Sequence, residues 1–245
     1  MVNVILVTQA RVGSTRLPSK ILKEIGGRSL LQIHLERLKK SRYGDNLILA
    51  TTYEDGVEQI IKIANSVQVA YYQGDTDDVL DRFYNAAKDK NPDYIVRVTS
   101  DCPLLDPVLM DEIIATAIVN KKDYTSNVLS HDFPDGQDIE VFRFKTLEKA
   151  WQKSLEKEDR EHVTKFIIDN SSFFQQDMFS SEDIVSHKNY GNIRMTLDYI
   201  EDFECLYNLI LKLGTNQTWQ TYANYIIENP DEFTNQKTTR NTKKQ

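Results

Sequence analysis

Cysteine is scarce: Cys102 and Cys205 are the two in 245 residues. Thiols so few and so far apart supply neither a disulfide framework nor metal-ligand spacing, so both are expected to be reduced and buried. Glycine (9) and proline (6) are also sparse, and no linker, internal repeat or low-complexity tract divides the chain. A chain of this size buries roughly 70–75% of its unfolded surface. The expected organisation is one domain over 1–235 followed by a polar, basic tail at 236–245. No apolar run approaches the ~20 residues that span a bilayer, and no basic segment leads into an apolar leader. A soluble, cytoplasmic protein without membrane insertion is expected. Neither G-x-x-x-x-G-K-[ST] nor G-x-G-x-x-G occurs, which removes the main support for a kinase, a GTPase or a nicotinamide-dependent dehydrogenase.

What is present is an uneven charge. The chain carries −7 overall, yet residues 11–42 hold nine Lys or Arg against Glu24 and Glu36. One basic patch on an acidic chain suits a small phosphate-bearing ligand better than a nucleic acid, which needs a basic face over a larger area. Arg37, Lys39, Lys40 and Arg42 read as a solvated helix face. Arg11, Arg16 and Lys20 lie instead in a loop, QARVGSTRLPSK (9–20), directly after the apolar run VNVILVT.

Short β-rich runs alternate with amphipathic stretches, the pattern of an α/β fold on a mostly parallel sheet. Strands are expected at 2–8, 46–52, 67–72, 93–100, 138–144 and 192–197. Helices are expected at 57–65, 77–88, 146–155, 159–169, 200–213 and 218–227. One more follows a Ser29/Gln32 capping box, and another opens at Asp106-Pro107. Ligands of such sheets sit beyond the carboxyl ends of the strands, and three segments fall there.

In the first loop the backbone of Gly13, Ser14 and Thr15 and the side chains of Arg11, Arg16 and Lys20 could cradle a polyphosphate; a solvated basic loop is the equal alternative. After the fourth strand, SDCPLLDP offers Asp101 as a carboxylate suited to Mg²⁺, or as a turn former. There Asp106 reads as a helix cap and Cys102 as a packing residue. After the last strand, LDYIED offers Asp198, while the helix dipole accounts for Glu201 and Asp202. Two carboxylates beside a phosphate loop are the parts of metal-assisted nucleotidyl transfer.

Together QARVGSTRLPSK, VRVTSDCPLLDP and MTLDYIEDFE resemble the cytidylyltransferases that make CMP-activated acidic sugars. GDTDDVLDRFY, FPDGQDIEVF and REHVT bring the spore-coat polysaccharide branch nearest. The resemblance runs from about residue 3 to 212. It implies a Rossmann-like three-layer nucleotidyltransferase fold with a mixed, mostly parallel sheet, and attack of an acceptor oxygen on the α-phosphorus of CTP with loss of pyrophosphate. By position it implies Arg11 and Lys20 on the triphosphate, Asp101 and Asp198 on Mg²⁺, and Gln9, Ala10, Gly13, Ser14, Arg16 and Thr99 around the nucleotide. Thr99 stands where the octulosonate enzymes have glutamine, and LDYIED lacks the proline of the common VDTPED. For the acceptor, a small sugar-like molecule, the candidates are Asp135, Gln137, Asp138, Glu140, Arg160, Glu161, His162 and Arg194. His162 is also a candidate base, and His34 reads as packing. The aromatic stretch 219–233 fits either a homodimer contact or an ordinary packed helix.

Two rival readings remain. A GT-A glycosyltransferase would use a D-x-D, which Asp75-Thr76-Asp77 spells, although N-capping accounts for it there. A non-catalytic nucleotide-binding homologue would not need Arg11, Lys20, Asp101 and Asp198 together.

Overall fold

The computed structural model describes residues 2–14 and 16–237. Thr15 and the expected tail from 238 onward lie outside the described residues.

The apolar run at the start becomes β1 (Val4–Gln9), with Val4 and Leu6 in one core cluster and Ile5 and Val7 in the other. Both faces are covered, which is why the run is apolar without alternation. In chain order there follow the hairpin β2 (Glu24–Ile25) and β3 (Arg28–Ser29), then β4 (Leu47–Thr51), β5 (Ala70–Gln73), β6 (Tyr94–Thr99), β7 (Tyr124–Ser126), β8 (Glu140–Arg143) and β9 (Ser181–Asp183). The main sheet runs β5-β4-β1-β6-β8-β7-β9. Its β5-β4-β1-β6 half is parallel, and β8 pairs antiparallel with both β6 and β7. Helices α1 (Leu30–Leu38), α2 (Val57–Ser66), α4 (Pro107–Asn120), α8 (Ile200–Leu213) and α9 (Trp219–Glu228) pack on one face. Helices α3 (Val79–Ala87), α5 (Phe144–Lys153) and α7 (Lys165–Asp169) pack on the other, with α6 (Lys157–Glu161) leading into α7. The result is the three-layer, mixed, mostly parallel α/β fold expected.

Several local expectations change. Residues 192–197 form no strand: their backbone bonds are spread over two loops, Met195 N–H to Asp135 O and Leu197 N–H to Asp101 O, with a single bridge at Asp135–Arg194. Gly136 makes this approach possible, because a Cβ there would stand 2.8 Å from the Met195 carbonyl carbon at a φ of 110°. The helix expected at 159–169 breaks into α6 and α7 at Val163, whose φ of 39° is left-handed. Of the Ser29/Gln32 box one half forms, since the Gln32 side chain turns to Glu36. Arg37 is buried rather than solvated, and its guanidinium donates to the carbonyls of Leu105, Thr215 and Gln217. In the 219–233 stretch, Trp219 packs against Phe133 and Tyr190, so its large ring serves this chain's own core. Gln236, placed by sequence in the tail, hydrogen-bonds the Arg194 backbone at 2.7 and 3.0 Å. Among the described residues no helix is long and apolar enough to cross a membrane.

His34 does more than pack. Its Nδ1 lies 2.9 Å from Cys102 O and its Nε2 2.9 Å from Thr8 Oγ1, joining α1 to β1 and to the turn after β6. A carbonyl only accepts, so Nδ1 carries the proton and Nε2 accepts from threonine. Burial holds the imidazole at about 4, below its ordinary 6.5. The unfolded chain therefore takes up a proton that the native state refuses, and this contribution is full above pH 6.5 and lost as pH falls toward 4. In urea titrations the advantage of wild type over His34→Gln should shrink by about 1.5 kcal/mol between pH 6.5 and 5.

Candidate active site

The carboxyl ends of β1 and β6 open into a cleft of about 300 Å³. The loop after β1, the start of α3, the turn after β6, residues 135–140, the α6–α7 break and residues 196–198 all line it. This is the crevice that the parallel topology calls for.

At its centre the Lys20 ammonium donates to Asp101 Oδ2 at 2.9 Å, Asp198 Oδ1 at 3.0 Å and Leu197 O at 2.6 Å. Arg16 meets Asp198 Oδ2 at 3.3 Å. The two aspartates, distant in sequence, thus share one cation. A partly buried ammonium ringed by carboxylate and carbonyl oxygens marks a place where positive charge is stabilised, and hard oxygen donors of this kind fit Mg²⁺.

The geometry behind Asp198 is equally specific. Arg194 is 2% exposed and bonds Asp202 at 2.8 and 2.9 Å, Asp135 at 2.6 Å and Asp198 at 3.3 Å. Burial opposes its charge, but the Asp202 hydrogen bonds and the carboxylates of Asp135, Asp202 and Asp198 more than offset this and raise its pKa. Asp202 in turn accepts from the backbone of Asp198 and Tyr199 at 2.8 and 2.9 Å. It is a buried hub of the site, beyond the dipole role the sequence suggested.

Toward the parallel half the cleft is cationic. Arg11 is exposed at its edge, while Arg82 is buried and hydrogen-bonds Asp75 O and Thr76 O. Burial and then the nearby Arg11 lower the Arg82 pKa from its ordinary value. Both guanidinium groups line this side of the cleft and add positive charge there. Gln9, Ala10, Ser14 and Thr99 line the same space. The backbone donors of Val12 and Gly13, by contrast, are taken by the Glu54 carboxylate at 2.6 and 3.1 Å.

Toward the antiparallel half the lining is acidic, with Asp135, Asp138, Glu140 and Glu161 beside His162 and Thr164. Glu140 is bound by Arg97 and by the Tyr124 hydroxyl at 2.8 Å. Arg97 Nε and Gln9 Oε1 are buried without a hydrogen-bond partner among the described residues. The left-handed Val163 turns both His162 and Thr164 onto the cleft.

Three acceptor candidates move elsewhere. Gln137 is fully buried and spends its amide on Asp106 N at 2.8 Å and Leu104 O at 3.1 Å. Arg160 is held by Asp78 and the Trp151 carbonyl. Arg194 braces the aspartates instead of lining the cleft. Asp75 accepts from the Asp77 and Asp78 amides, so the D-x-D spelling belongs to a turn in front of α3, whose cap is Asp78. Asp106 caps α4 as expected. Cys102 is buried, and burial followed by the Asp101 charge pushes its thiol well above the ordinary value, which leaves it a packing group. Cys205 is pushed up to about 12 by burial.

Sequence reasoning missed Arg82, Arg97 and Glu54. The signal for Arg97 was a single charge inside an otherwise apolar strand, YIVRVT. Arg82 sits on the apolar face of α3 and Glu54 in an acidic loop, and neither pattern is distinctive.

A family model described as cytidylyltransferase matches residues 5–230. An uncharacterized protein of Methanocaldococcus jannaschii is 43% identical over 203 residues, covering 82% of this chain and 80% of that one. The spore coat polysaccharide biosynthesis protein SpsF of Bacillus subtilis is 30% identical over 221 residues, covering 87% and 89%. The solved structure of a cytidylyltransferase from Leptospira borgpetersenii superposes with a TM-score of 0.91 at 31% identity, covering 98% of this chain and all of that one.

Proposed function

Because this chain belongs to the cytidylyltransferase family, and is thus a nucleotidyltransferase, we propose that its cleft takes CTP with Mg²⁺ and a small sugar-like acceptor. The acceptor oxygen attacks the α-phosphorus, the bond to the β-phosphate breaks, and pyrophosphate leaves. The product serves surface polysaccharide assembly, in the cytoplasm. The observation that carries the reading is the meeting of Lys20, Asp101 and Asp198 on one point beside the Arg11–Arg82 pair.

In this reading Arg11, Arg82, Arg16 and Lys20 receive the triphosphate, each charge-assisted hydrogen bond contributing about 1.5–3 kcal/mol where water is excluded. Asp101 and Asp198 would hold the metal, which when bound offsets phosphate charge. Gln9, Ala10 and Thr99 border the nucleoside. Asp138, Glu140 and His162 face the acceptor, where carboxylates accept from sugar hydroxyls and Arg97 steadies Glu140.

A thermal-shift titration with CTP, UTP, ATP, GTP and CMP-sugars, each with and without Mg²⁺, tests the nucleotide assignment. Mg-CTP at 100 times its dissociation constant should add about 2.7 kcal/mol of stability, and Arg11→Ala should remove most of that gain. Silence toward every triphosphate, or a response confined to CMP-sugars, would sink the proposal.

A further inference from the structure

We propose that Glu54 is a positioning residue of the nucleotide site: its carboxylate holds the loop after β1 in the shape that receives the triphosphate. The inference rests on the nucleotide reading above and adds to it a group that touches neither phosphate nor metal.

Two consecutive backbone N–H groups, of Val12 and Gly13, point at the two Glu54 oxygens at 2.6 and 3.1 Å. Consecutive amides converging on one anion form a rigid nest. Here the anion is part of the chain. Thr52 Oγ1 donates to the same carboxylate at 2.9 Å. The segment bearing Glu54 is itself anchored to the end of β5, with Gln73 Nε2 donating to Thr52 O and the Tyr53 hydroxyl to Gln73 O, both at 3.0 Å.

Position 13 fits the clamp closely. A Cβ on Gly13 would stand 2.8 Å from Glu54 Oε2, so glycine is what allows the carboxylate to reach both amides.

Glu54 is absent from the cleft lining, whereas Arg11, Gly13, Ser14 and Arg16 are part of it. The carboxylate therefore grips the loop from outside the cleft and leaves the inner side to the ligand. Without it the Val12–Gly13 turn would lose these two amide bonds and have to be ordered when the ligand arrives. With the clamp, that ordering cost is met during folding, and affinity rises accordingly.

The test uses the full chain and three variants, Glu54→Gln, Glu54→Ala and Gly13→Ala, with two readouts. Amide hydrogen exchange should be at least ~10-fold faster at residues 10–14 in each variant and unchanged in β1, β6 and α1. Calorimetric titration with Mg-CTP should show ~10–100-fold weaker binding in Glu54→Ala, from the loss of two charge-assisted bonds.

Unchanged exchange in the loop would overturn the proposal. So would faster exchange with unaltered affinity, or tighter binding, which would make Glu54 a competitor of the phosphate. If wild type binds no triphosphate, the nucleotide reading fails by itself, and loop exchange alone then decides whether Glu54 is a clamp.

Discussion

Arg194→Met should be the most destabilising single substitution at the site, lowering the unfolding free energy by about 3–5 kcal/mol. The guanidinium is 2% exposed, and Asp202, one of its partners, is 1% exposed. Methionine fills much of the volume but leaves Asp135, Asp198 and Asp202 facing one another without their shared cation. Much of their desolvation is offset by the bonds that Arg194 and the backbone of Asp198 and Tyr199 supply. For a domain of this size the loss corresponds to a fall in Tm of roughly 6–20 °C. Arg194→Lys should recover little, because one ammonium cannot reproduce the planar fork that spans Asp135 and Asp202. Denaturant unfolding of the three proteins measures the effect. A loss below about 1 kcal/mol for Arg194→Met would show that the cluster relaxes or admits water, and that the buried charge is not held as described.

Asp101→Asn should do the reverse, leaving the fold intact and removing turnover. Its side chain holds the Lys20 ammonium, for which Asp198 and Leu197 O remain as partners, so Tm should stay within a few degrees. If Asp101 holds the metal as proposed, its loss removes several kcal/mol of transition-state stabilisation that the metal supplies, which predicts a drop of about 10²–10⁴ in the rate of pyrophosphate release. The assay is pyrophosphate release from Mg-CTP with an acceptor found by screening. Full activity in Asp101→Asn would remove Asp101 from the proposed mechanism. Asp198→Asn should lose both activity and some stability, since Asp198 also meets Arg16 and Arg194.

Strong local patterns made much of this readable in advance. The apolar run of β1 followed by a basic loop, the Asp-Pro start of α4 and the aspartates just beyond β6 and 197 each carry a local signal, and parallel topology assembles them at one edge. Less legible were features decided by what a residue meets from far away. Arg37 reads as a surface charge and Arg194 as an acceptor contact, yet the first bonds carbonyls near 105 and 215 and the second binds aspartates 59 and 8 positions away. Gln137 looked like a polar group in a turn beside the acceptor, and its burial depends on loops that no local pattern reveals. The segment 192–197 has the apolar–polar alternation of a strand in Ile193, Arg194, Met195, Thr196 and Leu197, but all five are buried and the backbone bonds of Met195 and Leu197 go to loops instead of a neighbouring strand. β7 and β9, at three residues each, are too short for a periodic signal.

The contacts of Lys20 also bear on when the protein acquires its activity. Its partners lie 81, 177 and 178 positions along the chain, so closure of the centre is among the most non-local events in folding. Contacts of such span form late, after the local helices and the adjacent parallel strands. During synthesis, the first 190 residues can build most of the sheet while Lys20 still lacks its second carboxylate. A nascent chain thus emerges as scaffold first, and its cleft is complete only when the segment carrying Asp198 docks.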